Sequence, residues 1–161
     1  MEFVLKKFGP QDFDDYFRLV SDAKVMAMIT ERAMPLDEAQ PDYAAMLLNN
    51  GIHPELGSFK ILDAQHGHFI GLAKLEVSAA NADTAELGYI ILPEYWGQGI
   101  AGRVARLLVT RAQEQPGLKH LFAIIDPANL PSRKILLNNQ FVFREFMDFD
   151  GLPGEILERG C

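Results

Sequence analysis

Apolar and polar positions alternate over Met1 to Phe8, with Phe3 and Leu5 set against Val4 and Lys6, until Gly9-Pro10 breaks the run. A period of two sends successive side chains to opposite faces, so this stretch predicts a strand closed by a turn. Asp12 then precedes Phe13 to Val20, where Phe13, Phe17 and Val20 share one helical face. The stretch Asp22 to Arg32 is apolar but short. After it, Pro35, Asp37 and Glu38 open a second predicted helix with its body over Ala39 to Leu48, Pro41 early in it and Asn49-Asn50-Gly51 as its stop. Ser58 to Leu62 and His68 to Val77 flank the polar turn Asp63 to Gly67, most simply an antiparallel hairpin. Asn81-Ala82-Asp83 turns the chain again, and Thr84 to Leu92 pairs back as the next strand of a meander.

Beyond that strand the period changes. Ile100, Val104, Leu107, Leu108 and Ala112 form one apolar helical face, while Arg103, Arg106, Arg111 and Gln113 lie largely off it. Pro116-Gly117 ends this helix, and His120 to Ile125 is a nearly continuous apolar run of the kind found in buried strands. Arg133 to Asn139 reads as a helix with Pro131 near its first turn. Phe141 to Phe149, the turn Asp150-Gly151 and Glu155 to Arg159 close the chain as a hairpin. These elements make one α/β domain over residues 1–161, with a mixed and mostly antiparallel sheet flanked by helices.

The chemistry concentrates where the period changes. Glu86 to Arg103 reads ELGYIILPEYWGQGIAGR, an apolar strand that runs through Pro93, Tyr95 and Trp96 into Gly97, Gly99 and Gly102 at the mouth of a helix. Such a turn leaves several backbone N–H groups unpaired and pointing one way, with the positive end of the helix dipole behind them, which is a place to bind phosphate.

Composition narrows the partners. The 161 residues carry a formal net charge of −7, so no basic face for nucleic acid is apparent. An acidic surface suits an amine substrate, and it also serves solubility. The single cysteine, Cys161, excludes an intrachain disulfide and a cysteine-based metal site. His66 and His68 share a strand face without a third ligand at suitable spacing, so no metal site is expected. Met26, Met28 and Met46 could line a flexible pocket, though core packing is their commoner use. No membrane-length apolar run and no leader-like stretch are found, so the expected partners include no membrane and the default compartment is the cytoplasm. The oligomeric state stays open between monomer and homodimer.

Gly97, Gly99 and Gly102 also satisfy the dinucleotide spacing G-x-G-x-x-G, with Asp126 ending the next predicted strand. Three features count against that reading. Pro-Glu-Tyr-Trp intervenes between strand and first glycine, the preceding strands are antiparallel, and too little chain remains for further parallel strands.

Trp96-Gly97-Gln98-Gly99-Ile100-Ala101 at a helix start, followed by a strand and then Asn129-Leu130-Pro131-Ser132 opening another helix, resembles the GNAT superfamily of acetyl-CoA-dependent N-acetyltransferases. The phrase ELGYIILPEYWGQGIA resembles in particular the branch that includes the ribosomal-protein alanine N-acetyltransferases. The resemblance implies that Gly97, Gln98, Gly99, Ile100, Ala101, Gly102 and Arg103 hold the pyrophosphate of acetyl-CoA. It implies that exposed backbone of Ile90, Ile91 and Leu92 pairs with the pantetheine arm, and that Asn129 bonds a pantetheine amide. It also implies transfer of the acetyl group to a primary amine, a protein N-terminus or a small molecule, by direct attack on the thioester. Glu86 is then the expected base and Ser132 the group that serves the departing sulfur.

The sequence departs from the family pattern in three places. Trp96 stands where the commonest motif has Gln or Arg, Gln140 where a glycine often precedes the phenylalanine, and Leu136 where many members carry a tyrosine that reprotonates the thiolate. The alternative is a noncatalytic acyl-CoA-binding or sensing module, which keeps the phosphate turn and lacks a working base. Acceptor selection falls to Asp22 to Asn50 and to the closing hairpin, where Glu31, Asp37, Glu38, Glu145, Asp148 and Asp150 favour a cationic amine.

Overall fold

Alternation in the first residues becomes β1 (Phe3–Lys7), which pairs antiparallel with β2 (Gly57–Asp63) in the computed structural model, which describes residues 1–161. The expected meander follows, β2 with β3 (Phe69–Glu76) and β3 with β4 (Thr84–Ile91), all antiparallel. In the turn between β2 and β3 the Asp63 carboxylate accepts from the amides of Gln65 and His66, and the His66 and His68 rings stack with centroids 5.5 Å apart.

Between β1 and β2 the chain forms α1 (Phe13–Val20), the four-residue α2 (Ala23–Met26) and α3 (Leu36–Asn50). The sequence gives α2 no periodic signature, because one turn is too short to show one. What starts it is Asp22, whose side chain accepts from the amides of Lys24 and Val25. Pro41 lies inside α3, as expected.

After β4 comes α4 (Ile100–Gln113), then β5 (His120–Ile125), α5 (Leu130–Asn138), β6 (Val142–Phe149) and β7 (Leu152–Gly160). The sheet has seven strands in the order β1-β2-β3-β4-β5-β7-β6, and it is mixed because β4 and β5 run parallel. Only one parallel pair exists, since β5 meets antiparallel β7 on its other side.

Each face of the sheet buries its own core. Toward α4 and α5, Ile70, Leu75, Leu87, Leu121 and Leu157 pack with Val104, Leu108 and Phe141. Toward α1, α2 and α3, Phe8, Tyr16, Tyr43 and Phe69 form edge-on aromatic contacts around Leu19, Met26 and Leu72. The buried stripe of α4 is Ile100, Val104, Ala105, Leu108, Val109 and Ala112. Leu107 falls beside it and is only half-buried, in a groove with Phe3 and Arg103. Met26 is core, whereas Met28 is exposed.

Candidate active site

Parallel strands can separate when a helix crossover holds them at one end only. β4 and β5 pair at Thr84, Ala85 and Glu86 against His120, Leu121 and Phe122, and no further, although β4 continues to Ile91 and β5 to Ile125. The splay opens a cleft of about 620 Å³ between the end of β4, the glycine turn and the start of α5. That volume is of the size that holds a small-molecule ligand.

The glycine turn forms one wall. A short 3-10 turn, Pro93–Tyr95, separates β4 from the glycines, and Gly97 (φ 77°) and Gly99 (φ 74°) both take left-handed backbone. A Cβ built at either glycine meets nothing within 4 Å, so the protein's own packing leaves that space open. The amides of Gly97, Gln98, Gly99, Ile100, Ala101 and Gly102 have no backbone acceptor, and the ladder of α4 starts only with Arg103 N on Gly99 O at 3.3 Å. Six successive unpaired N–H groups at the positive end of a 14-residue helix make an anion cradle.

The opposite wall is the start of α5. Asp126 turns the chain by accepting from the Ala128 amide at 2.8 Å, and Asn129 caps the helix by accepting from Ser132 N at 3.3 Å. Capping occupies the Asn129 oxygen and leaves its amide nitrogen for the cleft. Ser132 Oγ accepts a hydrogen bond of 3.2 Å from the Tyr89 hydroxyl, which reaches across from β4. Burial pushes the pKa of that phenol up, and the bond to Ser132 partly offsets the rise.

Along β4 the groups divide by parity. Leu92 N donates to Ile70 O at 2.9 Å, so even-numbered residues turn their backbone groups to β3 and the amides of Tyr89 and Ile91 face the cleft. The Ile91 carbonyl takes the Trp96 indole N–H at 2.8 Å, tying the strand end to the glycine turn. Side chains alternate as well. Leu87 and Ile91 join the core under α4 with Tyr89 packed against it, whereas Glu86 lies on the other face, 3.2 Å from Lys74. Glu86 therefore sits where the strands part, across the sheet from the helix wall.

Of the residues expected to touch the cofactor, Ile90, Ile91, Gly97, Gly99, Ile100, Ala101, Gly102 and Asn129 line the cleft with Ser132. Leu92 does not, being 2% exposed with its amide used by β3. The Gln98 side chain turns to the Glu94 carbonyl, so its contribution is its amide. Arg103 lies on the outer side of α4, stacked 4.7 Å over the Phe3 ring and bonded to the Met1 carbonyl.

The acidic stretch fares differently. Arg32 pairs with Glu38 at 2.7 Å and Arg144 with Glu145 at 3.5 Å, and the residues of Asp22 to Asn50 that face the cleft are Lys24, Val25, Met28 and Ile29. Met28 is thus the one of the three methionines that lines a pocket.

Two side chains that contact expected site residues escape the sequence reading. Tyr89 could have been found from the alternation of the strand, which puts it two residues from Leu87 on the helix side. Lys74 could not, since its meeting with Glu86 depends on the β3–β4 register.

Comparison with known proteins agrees with this fold. The family described as Acetyltransferase (GNAT) domain matches residues 2–142. An uncharacterised N-acetyltransferase, YoaA, of Bacillus subtilis (strain 168) is 32% identical over 88 residues, 52% of this chain and half (50%) of that protein. An uncharacterised N-acetyltransferase, p20, of Bacillus licheniformis is 21% identical over 156 residues, 96% of this chain and 88% of the relative. Among solved structures, a GNAT-family acetyltransferase from Bacillus anthracis superposes with a TM-score of 0.79 at 15% identity, covering 99% of this chain and 95% of that one. A spermidine N-acetyltransferase from Vibrio cholerae, in complex with CoA and spermine, gives 0.78 at 19% identity over 98% and 95%. With the family match spanning most of its length, the chain belongs to the GNAT acetyltransferases.

Proposed function

We propose that this protein transfers the acetyl group of acetyl-CoA to a primary amine, on a protein N-terminus or a small molecule, by direct attack of the amine on the thioester. The six unpaired amides of Gly97 to Gly102 carry this reading, because they form an anion site at the mouth of a cleft that continues between splayed strands. A linear ligand with a diphosphate at one end and amide groups along its arm fits that arrangement. The diphosphate takes the turn amides, the Asn129 amide nitrogen takes a pantetheine carbonyl, and the free edge of β4 at Tyr89 and Ile91 pairs with the arm.

The chemistry divides between the faces of the sheet. The amine approaches from the side of Glu86, which accepts its proton directly or through water as the nitrogen–carbon bond forms. An amide of the β4 edge holds the thioester oxygen as negative charge develops on it. The carbon–sulfur bond then breaks with its electron pair on sulfur, on the side of Ser132. Lys74, 3.2 Å away, fixes the direction of the Glu86 carboxylate.

The solved relative with CoA and spermine is an amine acetyltransferase, which supports a small amine as one acceptor class. The cleft mouth of this chain, with Val25, Met28 and Ile29 around Lys24, favours an acceptor with an apolar portion next to its amine.

The test is titration calorimetry with acetyl-CoA and, in a parallel cell, NADH, followed by thiol release over a panel of polyamines, aminoglycosides and peptide N-termini. Acetyl-CoA alone is expected to bind and at least one amine to release thiol. Glu86→Gln should lower turnover about 100-fold with CoA affinity retained, the scale of lost general-base catalysis. Binding without turnover on any amine would establish the noncatalytic sensing module instead, and NADH binding would return the dinucleotide reading.

A further inference from the structure

The splayed end of β4 and the first turn of α5 touch through one polar contact, the 3.2 Å hydrogen bond from the Tyr89 hydroxyl to Ser132 Oγ. Both residues line the cleft, and the Tyr89 ring packs on the helix-side core, which fixes the direction of its hydroxyl. A serine oxygen that accepts one bond still carries its own hydrogen, and that hydrogen cannot point back along the bond it accepts. No protein group accepts the Ser132 hydroxyl hydrogen, and the residue lines the cleft, so the open direction for that hydrogen is the cleft. A chain of two hydroxyls also polarises the outer one, so that Ser132 donates more strongly than a lone serine would.

We propose that Tyr89 is a positioning residue of the acetyl transfer, one that turns the Ser132 hydroxyl toward the thioester sulfur and strengthens it as donor to the departing thiolate. The inference rests on the acetyl-CoA reading of the cleft. In the step concerned, the amine nitrogen bonds to the carbonyl carbon, the carbon–sulfur bond breaks, and its electron pair leaves on sulfur. Ser132 donates its hydrogen bond to that sulfur while Tyr89 holds the serine. The proton lost by the amine passes through Glu86 to solvent, and the thiolate takes one proton back from solvent. Charge and atoms balance with no further reactant.

A readout that needs binding alone separates this role from packing. The thiol of bound CoA is titrated by the ultraviolet absorbance of its thiolate, in wild type, Tyr89→Phe, Ser132→Ala and the double variant. Phenylalanine keeps the ring and removes only the hydroxyl. Each single variant should raise the bound thiol's pKa by about one unit, the scale of one hydrogen bond to a charged group. The double variant should raise it no further, because the two hydroxyls act in series. CoA affinity should stay within about twofold while kcat falls about tenfold, the rate equivalent of that shift.

An unchanged thiol pKa in Tyr89→Phe would overturn the proposal, and so would effects of the two variants that add. Should wild type bind no CoA, the assignment of the cleft fails and this inference with it. Should it bind CoA and acetylate no amine, the transfer reading fails, and the thiol titration still decides whether Tyr89 acts through Ser132.

Discussion

The two faces of the sheet meet the same cleft, yet they are built from different materials. On the helix side the site is mostly backbone: six turn amides, two helix N-termini and the free edge of β4. On the side of α1, α2 and α3 it is mostly side chains, apolar at the cleft mouth; outside the cleft lining, that layer buries Lys60 and Asp12, paired at 2.7 Å. Backbone groups serve any ligand with the same diphosphate and amide arm, so the helix side can hold a common donor. Side chains discriminate, so under the proposed function the other side would select the acceptor.

The most forceful way to break this division is Gly99→Glu. Gly99 takes φ 74°, where a side chain brings strain of about 1–3 kcal/mol, and the open space around its Cβ lets the protein fold nonetheless. The carboxylate then lies against the amide cradle and repels the diphosphate. Affinity for CoA should fall at least about 1,000-fold, roughly 4 kcal/mol, by calorimetry, with the circular dichroism spectrum retained. Undiminished CoA affinity would mean that the donor does not use this turn.

That turn was readable in the sequence for the reason that it works. A glycine at positive φ and a helix start with unpaired amides are local properties, set within a few residues. The alternation at Phe3–Lys7 and the turn before Thr84–Ile91 marked their strands in the same way, whereas Glu86 was singled out by the family resemblance, and it lies where β4 and β5 part. Properties that depend on register or neighbours stayed hidden. Lys74 reaches Glu86 only because β3 pairs with β4 residue by residue, and Tyr89 reaches Ser132 only because α5 folds back over the splay.

Glu38 and Glu145, two of the six carboxylates that favour a cationic amine, each lie beside an arginine, a pairing that the sequence does not show. β6 is the exposed edge of the sheet although Val142, Phe143, Phe146 and Met147 are apolar.

A second, smaller effect tests whether the acceptor side is held by its polar network. Burial pushes the Asp12 carboxyl up, but the hydrogen bonds from Lys60 and the Gly9 amide, with the charges of Lys60 and Lys6, outweigh it and hold the pKa below the ordinary 3.8. A depressed carboxyl contributes stability that is present above its unfolded pKa and lost as pH falls through the folded one. Asp12→Asn should therefore destabilise the protein at pH 7 by about 3 kcal/mol in urea unfolding, since it leaves the buried Lys60 with only the Asp15 carboxylate, 4.0 Å away. As pH falls through the folded pKa, wild type should lose this contribution, and the two unfolding curves should converge. CoA affinity of the folded variant should change less than about twofold, because Asp12 touches nothing in the cradle. Curves that stay apart in acid would assign the loss to packing.

The smallest effect falls on the joint between the two halves. Trp96 is 50% exposed, and the one hydrogen bond of its indole, 2.8 Å to the Ile91 carbonyl, ties the glycine turn to the end of β4. Trp96→Phe keeps an aromatic ring and removes that bond, with an expected loss of about 1 kcal/mol and a fall in Tm of roughly 2–4 °C. The freed carbonyl faces the cleft, and the turn no longer holds a fixed angle to the strand. CoA affinity should weaken by about threefold, somewhat less than a whole neutral hydrogen bond, because ligand bound to both parts restores their alignment. The KM for the amine should stay constant, since no acceptor-side residue contacts the indole bond. An amine KM that rises while CoA affinity holds would show that the turn also shapes the acceptor side, and the division between backbone donor site and side-chain acceptor site would have to be redrawn at Trp96.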